Sequence, residues 1–288
     1  MPQRKMALNR HTHNAVQVIA VTGGKGGTGK TTVAVNLATS LAQGGRSVLL
    51  LDGDLGLASV DVLLGLTPSG TLEQVLSGAV KLEEIIKRTA DGVSVIPAAS
   101  GVARMARLKA SEHAAIVRSF ATLPGSYDTL IVDTAPGLGE SVLAFCQAAQ
   151  QQLIVLRNEP ASLTDAYALI KILSRERQLK NFRVLVNMAR SGTEAHNLFK
   201  RLQRVTDRYL EVALEYAGDI PDDNDVGKSV RAQRSVLAAF PGSAAARAYR
   251  RLAQDVQKWP QPTQASGRLE FFFERLLTRT AARLKVVK

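Results

Sequence analysis

Residues 23–31 read GGKGGTGKT, five glycines and two lysines in nine positions. Glycine lets the main chain take positive φ and lets another group come close. Successive N–H groups facing one point make an anion nest. VQVIAV (16–21) precedes the stretch and reads as a buried strand. Residues 31–42 follow, with Val33, Leu37, Ala38 and Leu41 at helical spacing. Strand, glycine loop and helix in that order constrain the chain to an α/β fold in which a helix N-terminus adds partial positive charge to the nest. Gly24, Gly29, Lys30 and Thr31 satisfy G-x-x-x-x-G-K-[ST], the phosphate-binding loop pattern. Gly24, Lys25, Gly26, Gly27, Thr28, Gly29, Lys30, Thr31 and Thr32 are therefore the candidate nucleotide contacts of the loop.

Short apolar runs recur after it: SVLLL (47–51), VSVI (93–96), TLIV (129–132), LIVL (153–156) and RVLV (183–186), with YAGDI (216–220) as a seventh strand candidate. Runs of this kind separated by helical patterns imply a doubly wound, mainly parallel sheet of seven or eight strands flanked by helices. Ligands in such sheets sit at the carboxyl ends of the strands. The carboxylates of interest fall there. Asp52 and Asp54 follow the second strand, and Asp133 ends the run TLIV. Phosphoryl transfer needs a metal at the phosphate oxygens and a group that orients the attacking water. Asp133 is the expected metal-side carboxylate, with the Thr31 hydroxyl on Mg²⁺ and Asp52 as a supporting group near it. Asp54 is expected to position the nucleophile, and Lys30 to reach the β- and γ-phosphates.

Lys25 is not required by an ordinary phosphate loop. Beside Lys30 it brings only repulsion, unless it reaches phosphate bound by a second copy of the chain. That reading places two nucleotides in a face-to-face homodimer. No N-K-x-D guanine-reading motif is present. Asn187, ending RVLVN, can offer donor and acceptor to an adenine edge, and Pro221 and Asp223 lie on a later loop that can cover the base. ATP with Mg²⁺ is the expected cofactor pair.

The net charge of +12 favours anionic partners. The single cysteine, Cys146, sits in a helical pattern and reads as packed, with no intrachain disulfide. No run of eighteen apolar residues exists, so no membrane span is expected. Residues 1–15 lack the apolar core of a secretory signal and read as a flexible basic tail. The ATPase domain is expected over 16–260. The segment WPQPTQASG (259–267) ends it, leaving a linker over 261–267.

Residues 268–288 carry six basic and two acidic side chains. As a helix they set Leu269, Phe272, Phe273, Leu276, Leu277, Leu284 and Val287 on one side. That composition fits a helix lying on an anionic membrane surface.

KGGTGKT with its two lysines, D-x-D at Asp52 and Asp54, and DTAPG (133–137) resemble the deviant Walker A ATPases of the MinD/ParA group. DGDLGLASVDVLLGL (52–66), IPAASG (96–101), EPASLTDAYALIK (159–171) and LEFFFERLL (269–277) narrow the resemblance to its FleN/FlhG family of flagellar number regulators. It covers residues 16–277. It implies a cytoplasmic ATPase, reversibly peripheral on the inner face of the cell membrane, that dimerises with ATP and restrains flagellar number or placement. It also implies two partners: a signal-recognition-type GTPase (FlhF-like) and a flagellar transcription activator (FleQ-like). The family roles fall on Lys25, Lys30, Thr31, Asp54 and Asp133.

Some positions depart from the family pattern. Gly53 stands where alanine is common, Pro136 where alanine often stands, Asn158 where aspartate is expected, and Gly227 in place of a basic residue. The first fifteen residues lack the D-Q-A-x-x-L-R motif of some members. The competing reading is a ParA-type partitioning or positioning ATPase acting on DNA or another cargo. The C-terminal LEFFFERLL argues against it, and no specific nucleic acid is expected. A binding module without turnover is the third possibility, and Asp54 argues against that.

Overall fold

The computed structural model describes residues 16–54, 59–98 and 127–260. The expected N-terminal tail, the 261–267 linker and the 268–288 helix lie outside the described residues, as do residues 55–58 and 99–101 of the family segments.

Eight strands form one sheet: β1 (Gln17–Thr22), β2 (Val48–Gly53), β3 (Lys87–Arg88), β4 (Ser94–Ile96), β5 (Thr129–Thr134), β6 (Gln151–Arg157), β7 (Asn181–Ala189) and β8 (Ala213–Pro221). Their order is β3-β4-β2-β5-β1-β6-β7-β8. All pairs are parallel except the β3–β4 edge. The sequence runs anticipate seven of these strands. β3 is the addition: two basic residues with no apolar period, held only by pairing to β4.

Alternation along the central strands sorts their side chains between two cores. Val18 and Ala20 of β1 join Leu49, Leu51, Leu130, Val132, Ile154 and Leu156 on one face. Ile19 and Val21 join Leu50, Ile131, Leu153 and Val155 on the other. The first face is covered by α5 (Glu140–Ala148), α6 (Pro160–Arg177) and α7 (Gly192–Tyr209). The second is covered by α1 (Lys30–Gln43) and α10 (Ala244–Val256), which pack on each other. Among the described residues the remaining helices are short: α2 (Val60–Leu64), α3 (Leu72–Leu76), α4 (Leu82–Ile85), α8 (Asn224–Arg231) and α9 (Val236–Ala239). Both faces being buried explains why the central strands read as unbroken apolar runs.

The chain leaves β1 through α1 to β2 on one side, returns to β5, then crosses to β6 on the other side of β1. That change of direction opens a crevice beyond the carboxyl end of β1. At the opposite end, Trp259 lies inside the expected 16–260 domain. It is buried, belongs to the second core and lies 4.5 Å under the Arg183 guanidinium, so the packed part runs through it. Cys146 is fully buried in α5, as its setting suggests.

Candidate functional site

The loop after β1 closes with Gly27 and Gly29 at φ 78° and 85°, and Gly29 is the N-cap of α1. No side chain caps that helix and no acid stands in its first turn, so its leading N–H groups face the crevice without a protein acceptor from a cap. Gly24 is required for a different reason. A Cβ there would lie 2.2 Å from the Asp165 carbonyl oxygen of α6, so only glycine lets the loop rest on that helix.

Lys30 is buried, and its Nζ donates to the Lys25 carbonyl oxygen at 3.0 Å. Burial lowers its pKa, and the charges of Asp133 and Asp54 work the other way. The three aspartates converge because β2 and β5 are neighbours in register, with Asp52 opposite Asp133, while β1 sets Val21 beside Asp133.

The two paired carboxylates are not equivalent. Asp52 Oδ1 accepts from Asp54 N at 3.1 Å, and Oδ2 accepts from Ser59 N at 2.8 Å and Val60 N at 3.0 Å. Burial pushes its pKa up to about 6 against those bonds. Both oxygens thus brace the main chain between β2 and α2, which fixes Asp52 beside Asp133. Asp133 is the reverse case. It is buried, no hydrogen bond of good geometry reaches either oxygen, and the nearby Thr31 hydroxyl only partly offsets that burial. Burial first, then the negative charge of Asp52, push its pKa up to about 8.

A divalent cation would meet that deficit. The donor set fits Mg²⁺: a hard carboxylate at Asp133 and the hydroxyl of Thr31, which here shares a 3.1 Å hydrogen bond with Ser59 Oγ. No group of three or more His, Cys, Asp or Glu side chains is placed to hold a metal among the described residues.

Lys25 departs from expectation. Its Nζ lies 3.2 Å from Glu159 Oε2, and Arg157 Nη1 lies 3.2 Å from Glu159 Oε1. Lys25 therefore has a local partner as well, an acid at the start of α6. Glu159 went unread in the sequence, although an acid between a strand end and Pro160 at the start of a helix was the available signal.

Beside α1, a cavity of about 670 Å³ opens between the β7 and β8 ends, lined among others by Thr32, Asn187, Met188, Ile220 and Pro221. β7 bulges at this point, and Met188 takes φ 55°, a left-handed conformation unusual for a side-chain-bearing residue. The bulge aims Asn187 at the loop. Asn187 Nδ2 donates to the Thr28 carbonyl oxygen at 2.8 Å. That bond uses one of the two Nδ2 hydrogens and leaves Oδ1 to accept. Asp223 lines the cavity, but its carboxylate accepts from Asp225 N and Ala245 N, each at 2.9 Å. It caps α8 and ties the start of α10, whose own N-cap is Ser243, to the loop that carries Pro221. Asn158 donates to Glu194 of α7, tying the β6 end to that helix.

A family model described as NUBPL iron-transfer P-loop NTPase (ParA) matches residues 14–257. The sole cysteine is buried, so no thiol pair is present to hold an iron–sulfur cluster. The chain is 53% identical over 266 residues to antiactivator FleN of Pseudomonas aeruginosa, spanning 92% of this chain and 95% of that one. It is 33% identical over 220 residues to the flagellum site-determining protein YlxH of Helicobacter pylori, covering 76% and 74%. The solved structure of the septum site-determining protein MinD with Mg-ADP from Pyrococcus horikoshii OT3 superposes with a TM-score of 0.69 at 29% identity, covering 84% and 96%. The chain belongs to the MinD/ParA family of P-loop ATPases and, within it, to the FleN/FlhG-type flagellar regulators.

Proposed function

We propose that the chain is an ATP-driven switch, monomeric with ADP and dimeric with ATP, that hydrolyses ATP slowly and in doing so restrains flagellar assembly. The observation that carries it is the orphaned, fully buried Asp133 carboxylate opposite Asp52 and beside a phosphate loop with an uncapped helix. A buried acid that keeps its proton there would release it to a cation arriving with a polyphosphate. Thr31 and Asp133 would hold Mg²⁺ bound with ATP, which would supply charge neutralisation for phosphoryl transfer.

The chain's own groups divide the remaining work. Loop N–H groups and those at the start of α1 cradle the phosphates. Lys30 leaves the Lys25 carbonyl for phosphate oxygens, and burial makes its charge act over a short, poorly screened distance. Thr31 and Asp133 hold the metal side, the carboxylate acting through water. Asp54 orients the attacking water. Asn187 Oδ1 accepts from an exocyclic amine, which adenine offers and guanine replaces with an oxygen, while Pro221 covers the base. Lys25 exchanges Glu159 for a phosphate on a second copy.

The flagellar output rests on likeness to a protein named antiactivator, which supports a transcription activator as one partner; an FlhF-like GTPase is a second. No helix among the described residues is long and apolar enough to cross a membrane. We assign membrane residence to the 268–288 segment from its composition, with two copies in a dimer binding more tightly than one. Calorimetric titration with Mg-ATP and Mg-GTP tests the site. Mg-ATP should bind at least tenfold tighter, and Lys30→Ala should abolish both. Equal affinity for the two would contradict the assignment of Asn187. Unchanged liposome co-sedimentation after removal of residues 268–288 would contradict the membrane assignment.

A further inference from the structure

The chain beyond α10 is pinned at several points. Trp259 lies under the Arg183 guanidinium at 4.5 Å, and Arg183 is itself held by Glu215 at 2.8 Å. Gln17 Nε2 donates to the Val256 carbonyl oxygen at 3.0 Å, and Gln151 Nε2 donates to that of Pro260 at 3.2 Å. Whatever follows Pro260 therefore starts from a fixed point at the C-terminal end of α10. The helix itself is two-sided. Ala245, Ala248, Tyr249, Leu252 and Val256 are buried in the second core. At about 3.6 residues per turn, Arg247, Arg251, Gln254 and Lys258 fall in one narrow exposed stripe on the other side. Arg250 flanks it, donating to the Pro241 carbonyl oxygen at 2.7 Å. The one acid of α10, Asp255, is paired with Lys258 at 2.8 Å.

A cationic helix face ordinarily meets only water, but the pinned exit gives this one a neighbour. The linker over 261–267 spans at most about 25 Å. A leaflet that holds residues 268–288 is then within reach of α10, which is about 20 Å long. We propose that the Arg247–Lys258 stripe is a second membrane contact, resting on anionic lipid headgroups once residues 268–288 have inserted. This rests on the assignment of that segment to the membrane. Individually weak contacts count here because insertion of the segment makes them intramolecular. α7 carries a comparable basic set in Lys200, Arg201, Arg204 and Arg208, but it covers the opposite face of the sheet and serves as a control.

The test is co-sedimentation of the full chain with Mg-ATP on vesicles of phosphatidylglycerol mixed with phosphatidylcholine, and on phosphatidylcholine alone. Arg251→Gln/Lys258→Gln should lower partition onto the anionic vesicles about three- to tenfold and leave partition onto the neutral ones unchanged. Lys200→Gln/Arg204→Gln removes the same charge from α7 and should match wild type on both. Equal losses in the two double variants would overturn the proposal, because net charge alone would then account for binding. So would unchanged partition of Arg251→Gln/Lys258→Gln. If that variant instead loses retention on nonspecific duplex DNA while its vesicle binding holds, the stripe belongs to nucleic acid and the proposal fails. Vesicle binding that vanishes on removal of residues 268–288, with Arg251→Gln/Lys258→Gln indistinguishable from wild type, defeats the stripe alone. Binding that survives that removal defeats the membrane assignment and this inference together.

Discussion

Lys25 Nζ sits 3.2 Å from Glu159 Oε2, joining the phosphate loop to the start of α6 within a single chain. Both side chains are more than a third exposed, so the pair is worth under about 1 kcal/mol. It is weak enough to give way when a triphosphate on a second copy competes for the lysine. Glu159→Gln should therefore leave the melting temperature within about 2 °C. It should also lower the ATP concentration for half-maximal dimerisation about two- to fivefold, read by light scattering. Lys25→Ala should bind Mg-ATP and stay monomeric.

Asp133 ties stability to pH. It keeps its proton in the fold up to about pH 8, against an ordinary value of 3.8. A folded pKa above the unfolded one stabilises fully below the unfolded value, and that share is lost as pH rises through the folded value. Asp52, pushed up to about 6, acts in the same direction over a narrower window. Protein free of nucleotide and Mg²⁺ should melt lower at pH 8.5 than at pH 6. Asp133→Asn should raise the melting temperature at pH 8.5 by a few degrees, at ~2–4 °C per kcal/mol for a chain of this size, and abolish hydrolysis.

Two glycines of one loop should respond differently. A Cβ at Gly24 would meet the Asp165 main chain at 2.2 and 2.5 Å, and no side-chain rotation relieves a backbone clash. Gly24→Ala should cost roughly 2 kcal/mol or more by denaturant titration. At Gly26 the nearest atom is Pro136 Cβ at 4.0 Å. Gly26→Ala should change the denaturation midpoint little.

Much of this arrangement is legible in the residues, and the misses have physical causes. The buried strands announce themselves because both faces are covered, whereas Lys87–Arg88 pairs through its backbone alone and leaves no pattern. The strand-end aspartates are visible, but their division of labour is not. Asp52 and Asp133 look alike in sequence, and only the fold shows three backbone N–H groups on one and none on the other. Asp223 carries a local helix-cap pattern, and the fold sets it both at the start of α8 and on the cavity wall. Glu159 lies 134 residues from Lys25, so no spacing rule connects it to the loop.

The most direct measurement is light scattering during size exclusion of wild type and Asp54→Ala, each saturated with Mg-ADP or Mg-ATP. Removing the group that orients the water should trap the triphosphate state. Wild type should elute as a monomer with ADP, and Asp54→Ala as a stable dimer with ATP. An Asp54→Ala protein that stays monomeric while fully loaded with ATP would contradict the switch.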